Sequence, residues 1–295
     1  MGRIAFILFL LYSLPVGLHH LFMDPEHSNG FKFLQMFLTA LVSVPTLLTV
    51  FTITASMEVA GRMRGGTGTF GWIMALPWDR PMMLATGLSF FMLFWGGGGG
   101  LINMSYGMNA MVHNTSWVTA HFHLIFGGTV VIMYFAIAYA MWPALTGRAF
   151  ASARPLLVQL WLWFIGMMVM TLPWHWTGLQ GQWRRIAAFD YSNPLIASWG
   201  AWVIVSLVGG IILTVSALLF VWNLLSLHRS SAPRAAAAEV PYAEAVHPPG
   251  RLPASLNGFG LWNLIVAVLM LLAYGYPIAQ FFIYPSPQAV VHRLH

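Results

Sequence analysis

The sequence contains no cysteine, which excludes disulfides and thiolate metal sites and leaves imidazole nitrogen and oxygen as the metal ligands. Charged residues are also scarce, at 7% of the 295 residues, whereas soluble domains carry about a quarter. Hydrophobic residues make up 59% of the chain, and the mean hydropathy is +0.74. These values exclude an ordinary soluble domain and indicate that membrane lipid surrounds most of the chain.

Apolar runs of roughly 20 residues recur along the chain, and each is long enough to cross the hydrocarbon layer as a helix. The sequence is therefore predicted to be an all-α polytopic membrane bundle of about seven transmembrane helices. The first run has no small-residue cleavage site after it and is interpreted as a retained span. The predicted spans are 3–18, 33–60, 82–102, 117–142, 156–172, 194–225 and 261–284.

The net charge of +6 comes from basic residues in short segments between the spans, which form no continuous strip. A nucleic-acid partner is therefore not expected. The positive-inside rule predicts a multi-pass protein of the cell membrane with a cytoplasmic N-terminus. The adjacent Arg184 and Arg185 then lie outside, against the trend, and require a local anionic partner.

The whole chain, 1–295, is predicted to be one membrane domain. Pro, Ala, Glu and Arg replace apolar residues in 226–255, which predicts a cytoplasmic loop between the sixth and seventh spans. Five consecutive glycines, 96–100, near the outer end of the third span are interpreted as a helix contact, with a gas channel as the alternative.

His121 and His123 lie within the fourth apolar run, where ionisable residues are costly and indicate function. At about 100° per residue they point about 200° apart on a helix and cannot bind the same ion. The pair is therefore predicted to serve two cofactors on opposite sides of the helix. The alternative for each is a hydrogen bond between helices.

His19 and His20 end the first apolar run, after Pro15 and Gly17. A helix end loosened by Pro and Gly can turn both imidazoles toward one ion, and imidazole ligands without carboxylates favour copper. A pair that merely anchors the helix end at the interface is the alternative.

Five segments of the sequence resemble the B-type haem-copper oxygen reductases, the ba-type cytochrome c oxidases. The likeness extends from residue 3 to about residue 284, and the segments are PVGLHHLFMDP, VPTLLTVFTITASMEVAGRMRGG, FGWIMALPWD, VHNTSWVTAHFHL and QWRRIA. The resemblance implies two haems and one copper. It implies that His19 and His20 bind the active-site copper, His121 the high-spin haem iron and His123 the low-spin haem iron.

The resemblance also implies contacts with the haem propionates. Arg184 and Arg185 match a basic pair that binds them, and His113 matches a propionate-associated histidine. Asn109 stands where the family has Asp and cannot titrate. The second span carries Thr46 and Thr49, which match a cytoplasmic proton route, although such hydroxyls often bond their own helix instead.

By the resemblance, the catalytic subunit begins with about six further spans, which carry the third copper ligand and the second low-spin ligand. The expected partners are that N-terminal half of subunit I, if separately encoded, subunit II with the electron-entry copper site, cytochrome c and membrane lipid. The expected activity is reduction of oxygen to water coupled to proton translocation, absent from the chain alone.

Three alternatives remain. A nitric oxide reductase of the same superfamily would place glutamates near the active metal, whereas Glu58 lies at the far end of its span. A non-catalytic haem-binding fragment or gene remnant is consistent with the sequence. A transporter would show no haem spectrum.

Overall fold

The structure is a computed structural model that describes residues 2–13, 16, 19–23, 27–186, 188–228, 253–254 and 259–271. All regular elements in these residues are helical, as predicted. The chain divides into two units, 1–238 and 239–295, and the first contains the predicted site residues. In the second unit, only a helix from Phe259–Met270, α11, and a few neighbouring residues are described.

Five helices of the first unit are long and apolar enough to cross a membrane. They confirm a polytopic helical bundle and coincide with predicted spans two to six. The predicted first and seventh spans contain shorter described helices, α1 (Gly2–Ser13) and α11. The crossing helices are α2 (Asn29–Met63), α4 (Pro81–Met104), the composite span Ser116–Thr146, α8 (Arg154–Leu179) and α10 (Gly200–Leu227).

The shorter elements connect these helices. A single 3-10 turn holds His19–Leu21, and the loop after α2 contains the short helix α3 (Gly71–Met74). A further short helix, α5 (Tyr106–Val112), precedes the composite span, and α9 (Pro194–Ser198) precedes α10. The predicted loop 226–255 lies almost entirely outside the described residues.

Helix α8 is longer than predicted. The apolar run predicted a fifth span that ends at residue 172, but the helix continues through Pro173 to Leu179. Interior prolines are tolerated in membrane helices, where side chains and neighbouring helices satisfy the freed backbone groups. The longer helix includes His175 and Thr177, which lie close to the candidate site.

The composite span changes its helical geometry at the predicted haem ligands. Helix α6 (Ser116–Phe122) is followed by a π-helical segment, His123–Val130, and then by α7 (Val131–Thr146). Side chains from two neighbouring helices bind carbonyls of this segment: Ser89 Oγ donates to Thr129 O at 3.0 Å, and Trp163 Nε1 donates to Gly127 O at 2.8 Å. Widened helical turns occur often at functional sites.

The bundle core consists of α4, the composite span and α8. Leu124, Ile132, Leu160 and Met167 are fully buried there. Helices α8 and α10 pack closely because Gly209 has no side chain: a Cβ there would lie 2.4 Å from the Met170 backbone nitrogen. Outward-facing apolar side chains on the same helices are exposed, which suits a lipid-facing surface.

Candidate haem and copper site

His19 and His20 direct their Nε2 atoms at each other, at a separation of 2.9 Å. Thr39 Oγ1 donates its proton to Gln35 O at 2.6 Å, so it accepts from His19 Nδ1 at 3.2 Å. His19 Nε2 is then the unprotonated nitrogen, the form that binds metals. Two nitrogens about 2.0 Å from one ion, at right angles, lie about 2.8 Å apart. The pair therefore fits a shared metal ion.

His121 lies against the glycine run of α4. Its Nδ1 donates to Gly96 O at 2.7 Å, and because a carbonyl can only accept, the proton is on Nδ1. Nε2 is left free as a metal ligand, with the second hydrogen bond that oriented ligand histidines usually make. The glycine run is thus a helix contact, as predicted, and its neighbour is a predicted haem ligand.

His123 has the same hydrogen-bonding pattern on a different side of the span. Its Nδ1 donates to Thr119 O at 2.8 Å, which again leaves Nε2 free. Its ring packs edge-on against Trp174 of α8, with ring centroids 5.1 Å apart. The two histidines therefore contact different helices, His121 facing α4 and His123 facing α8, which is the arrangement needed for two separate haems.

The predicted residues from distant parts of the sequence meet at one end of the bundle. Arg184 lies close enough to His20 and His113 for its positive charge to act on both, and His20 lies close to His121. Burial, followed by the positive charge of Arg184, lowers the pKa of His113. His113 is therefore shifted toward its neutral form, as an imidazole near a guanidinium would be.

Arg184 is available to bind an anion. Its Nη2 donates to Asn114 Oδ1 at 3.3 Å, whereas its buried Nε has no hydrogen-bond partner within the described part of the chain. Burial and the neighbouring Arg185 lower the pKa of Arg184. Two adjacent cations at this position would be stabilised by a carboxylate, and the free Nε–H fits one. This donor set is consistent with haem propionates.

Asn109 is buried close to Asn103. Its Nδ2 donates to Asn103 O at 2.7 Å, while its Oδ1 and both amide atoms of Asn103 have no partner in the described regions. Unpaired buried amides are rare and usually indicate an additional ligand or ordered water. Asn109 thus has unsatisfied hydrogen-bonding capacity, although it carries no ionisable group.

Thr46 and Thr49 lie on α2, and both hydroxyls bond their own helix. Thr46 Oγ1 donates to Val42 O at 3.2 Å, and Thr49 Oγ1 donates to Pro45 O at 2.9 Å. These bonds match the structural alternative stated for the hydroxyls. A hydroxyl can also accept a second hydrogen bond, so a role in a proton route stays a prediction.

Three residues in this region were not predicted. His175 is buried, its ring packs on Trp117, and its Nε2 has no partner among the residues described. Asn103 and Gln182 also escaped prediction, because polar residues near a span end usually indicate only the interface. The one sequence signal is the position of Gln182 at the start of the QWRRIA segment, two residues before Arg184.

A substitution at Gly100 should disturb the His121 ring. A Cβ at this position would lie 2.8 Å from His121 Cε1, so Gly100→Ala forces the imidazole or the helix to move, at a cost of about 1–3 kcal/mol. We expect partial loss of the high-spin haem signal in the assembled protein. The matched control is Gly98→Ala, since nothing lies within 4 Å of that Cβ. Equal spectra for the two variants would contradict the contact.

Fold and site together define a polytopic helical membrane protein that brings histidines and the Arg184 and Arg185 pair together at one end of the bundle. A family model described as "Cytochrome C and Quinol oxidase polypeptide I" matches residues 1–212. The chain belongs to this family, cytochrome c oxidase subunit I and its relatives. The family was predicted correctly, and assignment to the B-type subfamily stays a prediction.

Individual relatives agree with the family match. Cytochrome c oxidase subunit 1 of Thermus thermophilus is 42% identical over 295 residues, covering 97% of this chain and 52% of the relative. The corresponding subunit of Corynebacterium diphtheriae is 30% identical over 219 residues, with 74% and 35% coverage. A cryo-EM structure of a heme-copper terminal oxidase dimer has a TM-score of 0.74 and 31% identity, with 92% and 49% coverage. The chain spans about half the length of the first of these relatives.

Proposed function

We propose that the chain forms the C-terminal part of the catalytic subunit of a terminal respiratory oxidase. This enzyme would reduce oxygen to water with electrons from cytochrome c and couple the reaction to proton translocation. The observation that carries the proposal is the pair of facing nitrogens of His19 and His20, 2.9 Å apart, with His121 close to both histidines. Family membership supports the same activity.

His19 and His20 would hold copper, His121 the high-spin haem and His123 the low-spin haem. When bound, these groups supply the electron transfer and the reduction of oxygen. The chain's own residues orient the ligands: the carbonyls of Gly96 and Thr119 hold the two haem ligands with Nε2 exposed toward a metal.

The polar residues beside the ligands would bind the haem carboxylates and balance their negative charge. Arg184 and Arg185 would pair with haem carboxylates, and the neutral imidazole of His113 would donate a hydrogen bond to such a carboxylate or accept the proton of its protonated, carboxylic acid form. Asn109 would hydrogen-bond to the same region without titrating. A protein that uses Asn here would depend on other groups to hold a proton.

The oxidase would need helices that correspond to the remaining half of its relatives, supplied by the same polypeptide or a separate one. These would add the third copper ligand and the second low-spin ligand. We further propose subunit II and cytochrome c as partners, and the cell membrane, with the N-terminus cytoplasmic, as the location. A nitric oxide reductase would need glutamate near the metal. Glu58 does not meet this need, because it forms an ion pair with Arg62 near the opposite end of α2.

The test is to produce the chain with and without the N-terminal helices and subunit II. We expect two haem signals, copper and oxygen consumption with reduced cytochrome c only in the assembled protein. An assembled, haem-loaded protein that reduces nitric oxide but not oxygen would contradict the oxidase proposal. If the assembled protein showed no haem spectrum, both the oxidase and the nitric oxide reductase would be excluded, and a transporter or a gene remnant would be favoured.

Thr49→Val should slow proton uptake while the haem spectra stay intact, because it removes a hydroxyl from the proposed route. Stopped-flow measurement with a pH indicator gives the rate. Thr214→Val is the matched control, since Thr214 is an exposed threonine of α10 whose Oγ1 also bonds its own helix, at 2.9 Å to Gly210 O. If Thr49→Val and Thr214→Val turn over equally fast, the α2 hydroxyls are structural.

A further inference from the structure

A buried glutamine joins the end of α8 to the start of α6. Gln182 is 5% exposed, and its Oε1 accepts hydrogen bonds from Ser116 Oγ at 2.9 Å and from Thr177 Oγ1. Its backbone nitrogen donates to Thr177 O at 2.9 Å, and its carbonyl accepts from Ser116 N at 2.8 Å. One residue thus makes four hydrogen bonds to two helices.

Backbone pairing around Gln182 also fixes the segment that carries Arg184 and Arg185, residues 182–185, here called the arginine loop. Residues 114–116 and 182–184 run antiparallel: Thr115 and Trp183 form an isolated bridge, and Arg184 N donates to Asn114 O at 2.9 Å. The Arg184 guanidinium then reaches Asn114 Oδ1 through Nη2, at 3.3 Å. The pairing ends at Ser116, the first residue of α6, and His121 lies five residues further along the same helix.

The loop is held in an unfavourable conformation. Asn114 has φ of 60° and Arg185 has φ of 63°, in the left-handed region that L-residues with side chains seldom adopt. Such residues persist only where surrounding contacts overdetermine the backbone, and they cluster at functional sites. The Gln182 hydrogen bonds are the buried contacts at the centre of this loop.

Packing alone does not require a glutamine here. Leucine has a similar volume, and burying an amide is costly unless its hydrogen bonds are made. The amide therefore contributes directional hydrogen bonds, which an apolar side chain of the same volume could not make. Gln182 lies two residues before Arg184 and bonds to Ser116 of α6. Its hydrogen bonds therefore fix the orientation of the arginine loop relative to α6.

We infer that Gln182 is a positioning residue, which holds the Arg184 guanidinium beside the ligand-bearing helix so that its free Nε–H points at a haem carboxylate. The inference rests on the proposed function. In this arrangement, Gln182 influences the haem only through Arg184. Loss of the Gln182 hydrogen bonds would let Arg184 move away from the carboxylate. The unpaired carboxylate charge would then favour the oxidised iron.

The experiment is a redox titration of the assembled oxidase. Gln182→Leu should lower a haem midpoint potential, in the same direction as Arg184→Gln and by no more than that variant. The double variant should match Arg184→Gln alone, because Gln182 has nothing left to position. Gln180→Leu, at an exposed glutamine of the same turn, should leave the potential unchanged.

Ser116→Ala provides a second variant if Gln182→Leu fails to assemble, since it removes one donor to Gln182 Oε1 and should produce a smaller shift of the same sign. Unchanged potentials in both, or additive shifts in the double variant, would overturn the inference. Absence of haem from the unmodified assembly would instead count against the proposed function, so the two failures are distinguishable.

Discussion

His121→Ala is expected to abolish the high-spin haem signal of the assembled oxidase and to spare most of the low-spin signal, while His123→Ala does the reverse. The reason is that the two rings contact different helices, His121 facing the glycine run of α4 and His123 facing Trp174 of α8. Each substitution removes the histidine that faces that side of the composite span. Reduced-minus-oxidised and carbon monoxide difference spectra separate the two signals.

The control for both variants is His228→Ala. This residue lies at the end of α10, where Arg148 Nη1 contacts only its backbone carbonyl, so the substitution keeps that contact. Protein abundance must be normal in all three. If either site variant loses both signals equally at normal abundance, the assignment of one haem to each histidine is wrong.

His19→Ala and His20→Ala are each expected to remove most of the copper while haem remains. The two Nε2 atoms face each other at 2.9 Å, so one imidazole cannot replace the pair. Loss of even an indirect hydrogen-bond partner commonly weakens metal binding about 10–100-fold, and loss of a direct ligand should exceed this. Elemental analysis, expressed as copper per haem, measures the effect.

A graded variant sharpens the copper experiment. Thr39→Val removes the acceptor for His19 Nδ1 and should lower copper affinity by about 10–100-fold without removing a ligand. His27→Ala is the control, since this nearby histidine packs on Phe31, with ring centroids 5.2 Å apart, rather than on the pair. Full copper occupancy in both His19→Ala and His20→Ala would refute the copper assignment.

The crossing helices could be predicted because a membrane restricts the backbone to few solutions. Apolar runs of sufficient length must be helical in lipid, since only a helix satisfies every backbone group within one segment. Among the described helices, α8 extends furthest beyond its predicted end, because Pro173 and the polar residues after it interrupt the apolar run without ending the helix. In the bundle, neighbouring helices support this turn, and a linear sequence does not show neighbours.

The candidate site was predictable to the extent that its chemistry is local. His121 and His123 are close in sequence, so helical spacing alone predicts that they serve different metals, whereas the shared ion predicted for His19 and His20 depends on the helix end that follows Pro15 and Gly17. Gln182, Asn103 and His175 could not be found in this way. Their significance depends on burial and on partners that lie far away in the sequence, such as Ser116 for Gln182.

The sequence by itself determined that the protein is a helical membrane bundle, that no thiolate can serve as a metal ligand, and that His121 and His123 lie on different sides of one helix. Composition and local periodicity are sufficient for these conclusions. Only the tertiary structure decided which nitrogen of His19, His121 and His123 carries the proton, because the proton position follows from acceptors on other turns or helices, such as Gly96 and Thr39. It also decided that Arg184 lies beside the start of α6, because hydrogen bonds between residues far apart in sequence form only once the helices pack together.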